Sequence, residues 1–362
     1  MNDVLLTVSG LIDPEVEAKT ARGERPEADY IAMSRAFNAD LIDYAEAHRR
    51  AGKFGRLLGK IGGPNLLLAW VCFTLRQQYR VIFTDGEQVG LPLAALLKFA
   101  NFAPRTNPRP RHLMIVHILS VGKKMVLLDW LRLQSHIDIF FVYATWQKQF
   151  IEHRWRVPAN RVVFTPFMVD DAFFAPDQAG KLDNFLGLDG QEKPVICAVG
   201  LEFRDYPTLM QAVRGLDVQV VIAAASPWSK REDSTADQDV PENVLVRRFT
   251  QFELRELYAR SAFLVMPLYT VNFQAGVTAL LEAMAMSKAV ICSRTPGQTD
   301  VVVEGKTGIY VPPEDPAALR AAIEQLLQQP AEARRLGVNG RRRIVAHMSL
   351  THYTRRLAAF VK

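Results

Sequence analysis

Short apolar runs alternate with helix-length amphipathic segments along most of this chain. Residues 4–9, 81–84, 113–119, 137–143 and 162–166 read as strands in the first half, and 195–200, 218–224, 263–267 and 290–293 in the second. Between them lie segments with a helical period, among them 123–134, 145–154, 206–213 and 251–260. The run FQAGVTALLEAMAMSKAV, 273–290, leads through a further helix into a strand. Beta-alpha alternation of this kind predicts parallel sheets covered by helices on both faces. The pattern breaks at DDAFFAPDQAGKLDNFLGLDGQEKP, 170–194, which is polar and weakly periodic and contains Gly and Pro. A fresh strand, VICAVG, follows it. The expected organisation is a Rossmann-like domain over 1–172, a linker at 173–193 and a second Rossmann-like domain over 194–344, the two facing across a cleft. The final helical stretch, 345–362, is expected to pack back on the first domain.

Composition narrows the class. The chain has 362 residues, too many for one ordinary core, with 49% hydrophobic and 23% charged residues, as globular proteins have. The opening MNDVLLTVSG reads as a first strand rather than a secretory signal. The longest apolar run, 66–75, is shorter than a membrane span. Cys72, Cys197 and Cys292 are far apart in apolar segments, which predicts reduced, buried thiols and a cytoplasmic setting. The net charge of +6 fits anionic lipid, nucleic acid or a phosphorylated substrate, and alone selects none. In HRRAGKFGRLLGKIGG, Arg49, Lys53, Arg56 and Lys60 share one helical face while Phe54, Leu57, Leu58 and Ile61 share the other. That is either a helix for an anionic membrane surface, at the inner face of the membrane, or a mobile basic segment whose glycines oppose helix formation.

The chemistry concentrates where strands hand over to helices, since ligands of parallel alpha/beta domains sit at strand carboxyl ends. After strand 263–267, a helix start near Ala275, Gly276, Val277 and Thr278 offers unbonded N–H groups to an anion, and Gly276 lets a bulky group approach. Glu282 follows Gln274 by eight residues, about 12 Å if the span is helical, which suits a nucleotide sugar with its sugar at Gln274 and its ribose at Glu282. The competing reading is an ordinary helix with an acid on a solvated edge. Gly200 and Arg204 follow VICAVG in a strand-loop-helix arrangement that suits a phosphate. Lys230, in SPWSKRED, is a second basic candidate by position, or else a solvated loop lysine. In the first half, Ser9 and Gly10, Asp85 and Glu87, and His117 all fall at or near strand ends, where they reach an acceptor's hydroxyls or serve as turn and core residues. Asp237 and Asp239 resemble a metal-binding acid pair but lie in a polar loop, and no other spacing suggests a metal.

The stretch QAGVTALLEAMAMSKAVICSRTPGQTDVVVEGKTGIYVPPEDPAALRAAI resembles the signature region of glycosyltransferase family 4, retaining enzymes of the two-domain GT-B fold. Glu282 matches the second Glu of that family's paired-Glu pattern, Asp300 stands where an acid is expected, and Gln274 replaces the first Glu. VPANRVVFTPFMVDDAFFAP and VICAVGLEFRDYPTLMQAVRG resemble the close of the family's first domain and the opening of its second. The resemblance implies a hexosyltransferase that needs no metal or other cofactor and uses a nucleotide-diphosphate sugar as substrate. Arg204, Gln274 and His117 would then be the catalytic residues. Gly200, Lys230, Ala275, Gly276, Val277, Thr278 and Glu282 would bind the donor, and Ser9, Gly10, Asp85 and Glu87 an unidentified acceptor. It gives no reason to expect nucleic acid as a partner. Two other readings are a catalytically silent binding protein for nucleotide sugars or glycans, suggested by Gln274, and another sugar-nucleotide enzyme of the same fold such as an epimerase.

Overall fold

The computed structural model describes residues 2–100, 109–187, 192–224 and 240–362. They divide into two units, each built around a six-stranded, wholly parallel sheet. The first comprises Met1–Glu17, Glu27–Thr165 and Thr354–Lys362, the second Ala18–Pro26 and Pro166–Tyr353.

The first sheet holds β1 (Val4–Thr7), β2 (Ala39–Ile42), β3 (Val81–Thr84), β4 (Arg111–Val116), β5 (Ile139–Val142) and β6 (Val162–Phe164), in the order β2-β1-β3-β4-β5-β6. β1, β3 and β5 are buried at every position, as strands sandwiched between helices must be. The second sheet holds β7 (Val195–Val199), β8 (Gln219–Ala223), β9 (Val244–Arg247), β10 (Phe263–Met266), β11 (Ala289–Ser293) and β12 (Gly308–Val311), in the order β12-β11-β10-β7-β8-β9. This is the architecture of the GT-B fold. The three cysteines are free and buried.

The segment expected as a linker is part of the second core. Phe173, Phe174 and Phe185 are buried there, with Phe174 edge-on to Tyr258 and the Arg255 guanidinium 4.4 Å above the Phe173 ring. The unit boundary therefore falls at Thr165, ahead of residue 172. The C-terminal stretch also divides differently. Residues through Tyr353 belong to the second unit, where Ile344 and Met348 join the core, and only Thr354 onward returns to the first.

One helix among the described residues, Lys53–Leu75, has the length and apolarity of a membrane span. It is two helices meeting at Gly63, whose φ of 77° and ψ of −177° break the turn just before Pro64. The second part contributes Leu67, Leu68, Ala69, Val71 and Cys72 to the first core.

Candidate active site

In the second sheet the chain leaves β7 toward β8 and β9, then returns on the opposite side as β10. Such a switch point leaves a crevice at the strand carboxyl ends. The loops after β7 and β10 are stitched together there. Arg204 and Leu268 form a backbone bridge, Asp205 N–H donates to Pro267 O at 3.1 Å and Tyr269 N–H to Phe203 O at 3.2 Å. Asp205 caps the next helix through Thr208 N–H, which fixes the loop's exit.

Arg204 folds back into this corner and is only 6% exposed. Its Nε–H donates to Val199 O at 2.9 Å and one terminal nitrogen to Glu202 O at 2.7 Å. The guanidinium lies between Gly200 (φ 102°) and Gly276 (φ 74°), and a Cβ on either would come within 3.0 Å of Arg204 Cζ. Glycine is needed at both for that reason as well as for backbone conformation. Among the described residues no carboxylate pairs with Arg204, and burial holds its pKa below the usual arginine value. A buried cation with terminal N–H groups to spare is a site for an anion.

Gly276 turns the chain into the helix Val277–Ala285, whose start no side chain caps. The first intrahelical bond runs from Leu280 N–H to Gly276 O, so the N–H groups of Val277, Thr278 and Ala279 stay open beside the Arg204 corner. Two expectations change here. Ala275 N–H is not an open donor, because Phe273 O takes it at 2.9 Å. Gln274 precedes the helix rather than opening it, so the wholly helical distance to Glu282 does not apply. Gln274 lies in a loop pressed against the following one: a Cβ on Gly297 would fall 2.7 Å from Gln274 N, and the Gln298 side-chain amide holds Ala275 O.

Glu282 is 6% exposed, so it is no solvated edge. Its Oε2 accepts from the Tyr258 hydroxyl at 2.8 Å, and Oε1 has no protein donor among the described residues. Burial raises its pKa to about 7, with the Tyr258 bond pulling the other way. Asp300 is half-buried, and its carbonyl accepts from Arg343 at 2.8 Å. Lys230, Asp237 and Asp239 lie outside the described residues.

In the first unit, residues from β1, β3 and β4 converge at the strand ends. Asp85 accepts from Ser9 N–H at 2.6 Å, from Ser9 Oγ at 2.8 Å and from Thr7 Oγ1 at 2.5 Å. Burial raises its pKa, and these bonds oppose the rise. Gly10 O accepts from Tyr44 N–H, while Asp43 accepts from Ile12 N–H and caps the helix Tyr44–Arg50, so the loop after β1 is fixed at both ends. Glu87 was expected to meet a substrate hydroxyl. It is instead 2% exposed and spends its carboxylate on His117 N–H, Ile118 N–H and Lys124 Nζ at 2.7–3.0 Å. Burial pushes its pKa up, but nearby positive charge and these hydrogen bonds together outweigh it and hold it below the usual range. Gln147 Nε2 donates to His117 O at 2.6 Å. The backbone of His117 is thus pinned on both sides while its ring stays exposed, Nε2 lying 2.9 Å from Asp85 O. Tyr258, Gln147, Lys124 and Gly297 went unread in the sequence, because their roles depend on partners 23 to 37 residues away that no local pattern announces. Among the described residues no group of three or more His, Cys, Asp or Glu side chains is placed to hold a metal ion.

With this geometry in view, the comparisons are specific. Residues 190–343 match the family model described as Glycosyl transferases group 1. The D-rhamnosyltransferase WbpZ of Pseudomonas aeruginosa is 31% identical over 137 residues, 37% of this chain and 36% of that protein. The GDP-mannose-dependent alpha-(1-6)-phosphatidylinositol monomannoside mannosyltransferase of Mycolicibacterium smegmatis is 29% identical over 200 residues, 51% of this chain and 52% of that protein. The matches thus span about half or less of the length of these curated relatives. Among solved structures, the sucrose-phosphate synthase of Thermosynechococcus elongatus has a TM-score of 0.70 at 17% identity, covering 99% of this chain and 98% of that one. Anabaena Alr3699/HepE in complex with UDP-glucose reaches 0.72 at 12% identity, covering 99% and 98%. At such identities the structural likeness shows the fold, GT-B.

Proposed function

We propose that this protein transfers a hexosyl group from a nucleotide-diphosphate sugar to an acceptor hydroxyl, with retention of anomeric configuration and without a metal. The observation that carries this reading is the buried, carboxylate-free Arg204 beside an uncapped helix start. As the glycosidic bond breaks, charge grows on the departing diphosphate. Preorganised donors stabilise it: the spare guanidinium N–H groups and the N–H groups of Val277, Thr278 and Ala279. Glu282 Oε1 accepts from the ribose. Gln274 gives and takes hydrogen bonds at the sugar without adding charge there. The departing phosphate takes the acceptor's proton on the same face. On the acceptor side His117 offers its exposed ring, with Asp85, Ser9 and Gly10 shaping the loops around it and Glu87 holding its backbone. The fold is shared with a protein solved with UDP-glucose, and 51% of the chain is 29% identical to a GDP-mannose-dependent enzyme, which supports the donor class and leaves the base to a screen.

The test is turnover with the best donor from a nucleotide-sugar screen. Arg204→Ala should lower it about 100-fold or more, and Arg204→Lys should recover part, since a point charge cannot replace the guanidinium fork. Full activity in a folded alanine variant would place the diphosphate elsewhere.

A further inference from the structure

The basic segment that the sequence left as helix or mobile coil is a helix, packed closely through two of its glycines. Residues 53–62 fold back on the second part of the same Lys53–Leu75 element. A Cβ on Gly55 would sit 2.7 Å from the Trp70 ring, one on Gly59 3.3 Å from Leu67 Cβ, and one on Gly62 3.0 Å from Leu66 Cβ. Gly55 is buried and Gly59 half-buried on the packed face, where they allow a close helix–helix approach that larger residues would prevent. The outer face is therefore left to Phe54, Leu57 and Ile61, which are 56%, 52% and 76% exposed. They recur at i, i+3 and i+7, one stripe of a helix. Phe54 is braced by Trp70, edge to face at 5.0 Å. Beside the stripe, Lys53, Arg56 and Lys60 are exposed and have no ion pair among the described residues. From Ala47 to Thr84 the chain holds seven Lys and Arg and no Asp or Glu.

We propose that this helix docks the first unit on an anionic membrane surface, lying in the interface with Phe54, Leu57 and Ile61 among the acyl chains and Lys53, Arg56 and Lys60 at the headgroups. An exposed apolar stripe bordered by unpaired cations matches the two layers of a lipid surface. A nucleic-acid backbone would satisfy the cations and leave the stripe in water. The helix is also already formed and packed through Gly55 and Gly59, so little ordering cost opposes docking. The inference does not depend on the proposed enzymatic activity.

Sedimentation of the full chain with vesicles tests it, comparing phosphatidylcholine alone with phosphatidylcholine mixed with phosphatidylglycerol, at low and high salt. Binding should require phosphatidylglycerol and weaken with salt. Reversing Lys53, Arg56 and Lys60 to Glu should reduce it about 100-fold or more, on the scale of roughly fivefold for each cation near such a surface. Leu57→Ser with Ile61→Ser, which leaves the Phe54–Trp70 contact in place, should abolish it while the melting temperature holds, since both side chains are exposed. Equal binding to both vesicle types, or none at low salt, overturns the proposal. So does a dimer that the serine variant converts to monomer without any vesicle binding, which would make the stripe a contact between two copies.

Discussion

Near pH 7 Glu282 stands at its own midpoint, because burial has raised its pKa to about 7. The ionised form accepts from both Tyr258 and a ribose hydroxyl, while the protonated form turns one acceptor into a donor. Affinity for a nucleotide sugar should therefore increase as pH rises through about 7 and level off above it. Glu282→Gln should flatten that profile and weaken binding about 10-fold or more at alkaline pH, as loss of a charge-assisted hydrogen bond implies. Calorimetric titration from acid to alkaline pH decides the matter, and a parent profile with no slope would remove Glu282 from the ribose. The sequence made this carboxylate conspicuous among small apolar residues. It could not show Tyr258, 24 residues earlier, which leaves one oxygen of the carboxylate engaged and the other open.

Gly276 makes an equally local demand on the helix it precedes. Its φ of 74° costs any L side chain about 1–2 kcal/mol, and a Cβ there also meets Met266 and the Arg204 guanidinium. Gly305 provides the control, with a φ of 67° and open space around the missing Cβ. Gly276→Ala and Gly305→Ala should both lose stability, the first more because its Cβ also clashes, and only the first should lose donor affinity, by displacing Arg204. Melting curves paired with donor titrations would show it, and equal donor affinity in both would mean the guanidinium does not hold the ligand. Elements were legible in proportion to their burial. Central strands such as β3 and β10 are buried at every position and read as unbroken apolar runs. The edge strands β2, β9 and β12 escaped notice, because one side is half-exposed and their patterns mix polar residues in. The glycines at 53–62 argue against a helix by propensity, and Gly55 and Gly59 offset that by fitting a tight packing face.

Each of the two units holds one buried group whose pH response opposes the other's. In the first, His112 is fully buried between the Thr84 hydroxyl and His136 O, and burial lowers its pKa from 6.5 to about 4. Its stabilising contribution is complete above pH 6.5 and is lost as pH falls through about 4. In the second, the Glu282 contribution is complete below pH 4.5 and is lost as pH rises through about 7. Each is on the order of 3 kcal/mol over its window. Acidification from about pH 7 toward 5 should thus weaken the His112 contribution in the first unit, against the opposite response of buried Asp85 there, and strengthen the Glu282 contribution in the second. Four of the five tryptophans, Trp70, Trp130, Trp146 and Trp155, lie in the first unit, so their fluorescence follows it while calorimetry follows both. His112→Asn should flatten the first response and Glu282→Gln the second; slopes unchanged in the variants would show that other groups dominate. At this scale the sequence revealed two units through the polar break at 170–194, but placed the division late because buried phenylalanines are scattered through that polar stretch. The return of Thr354–Lys362 to the first unit has a consequence in time. Leu357 and Val361 are buried, Phe360 meets Phe141 edge-on at 5.4 Å, and Arg356 donates to Thr165 across a sequence separation of 191. On a ribosome adding about 5–20 residues per second, the last strand of the first sheet waits roughly 10–40 s for the residues that close its core. During synthesis the unit encoded first is therefore the one completed last, and the surface around Phe141 is where a nascent chain would need a chaperone.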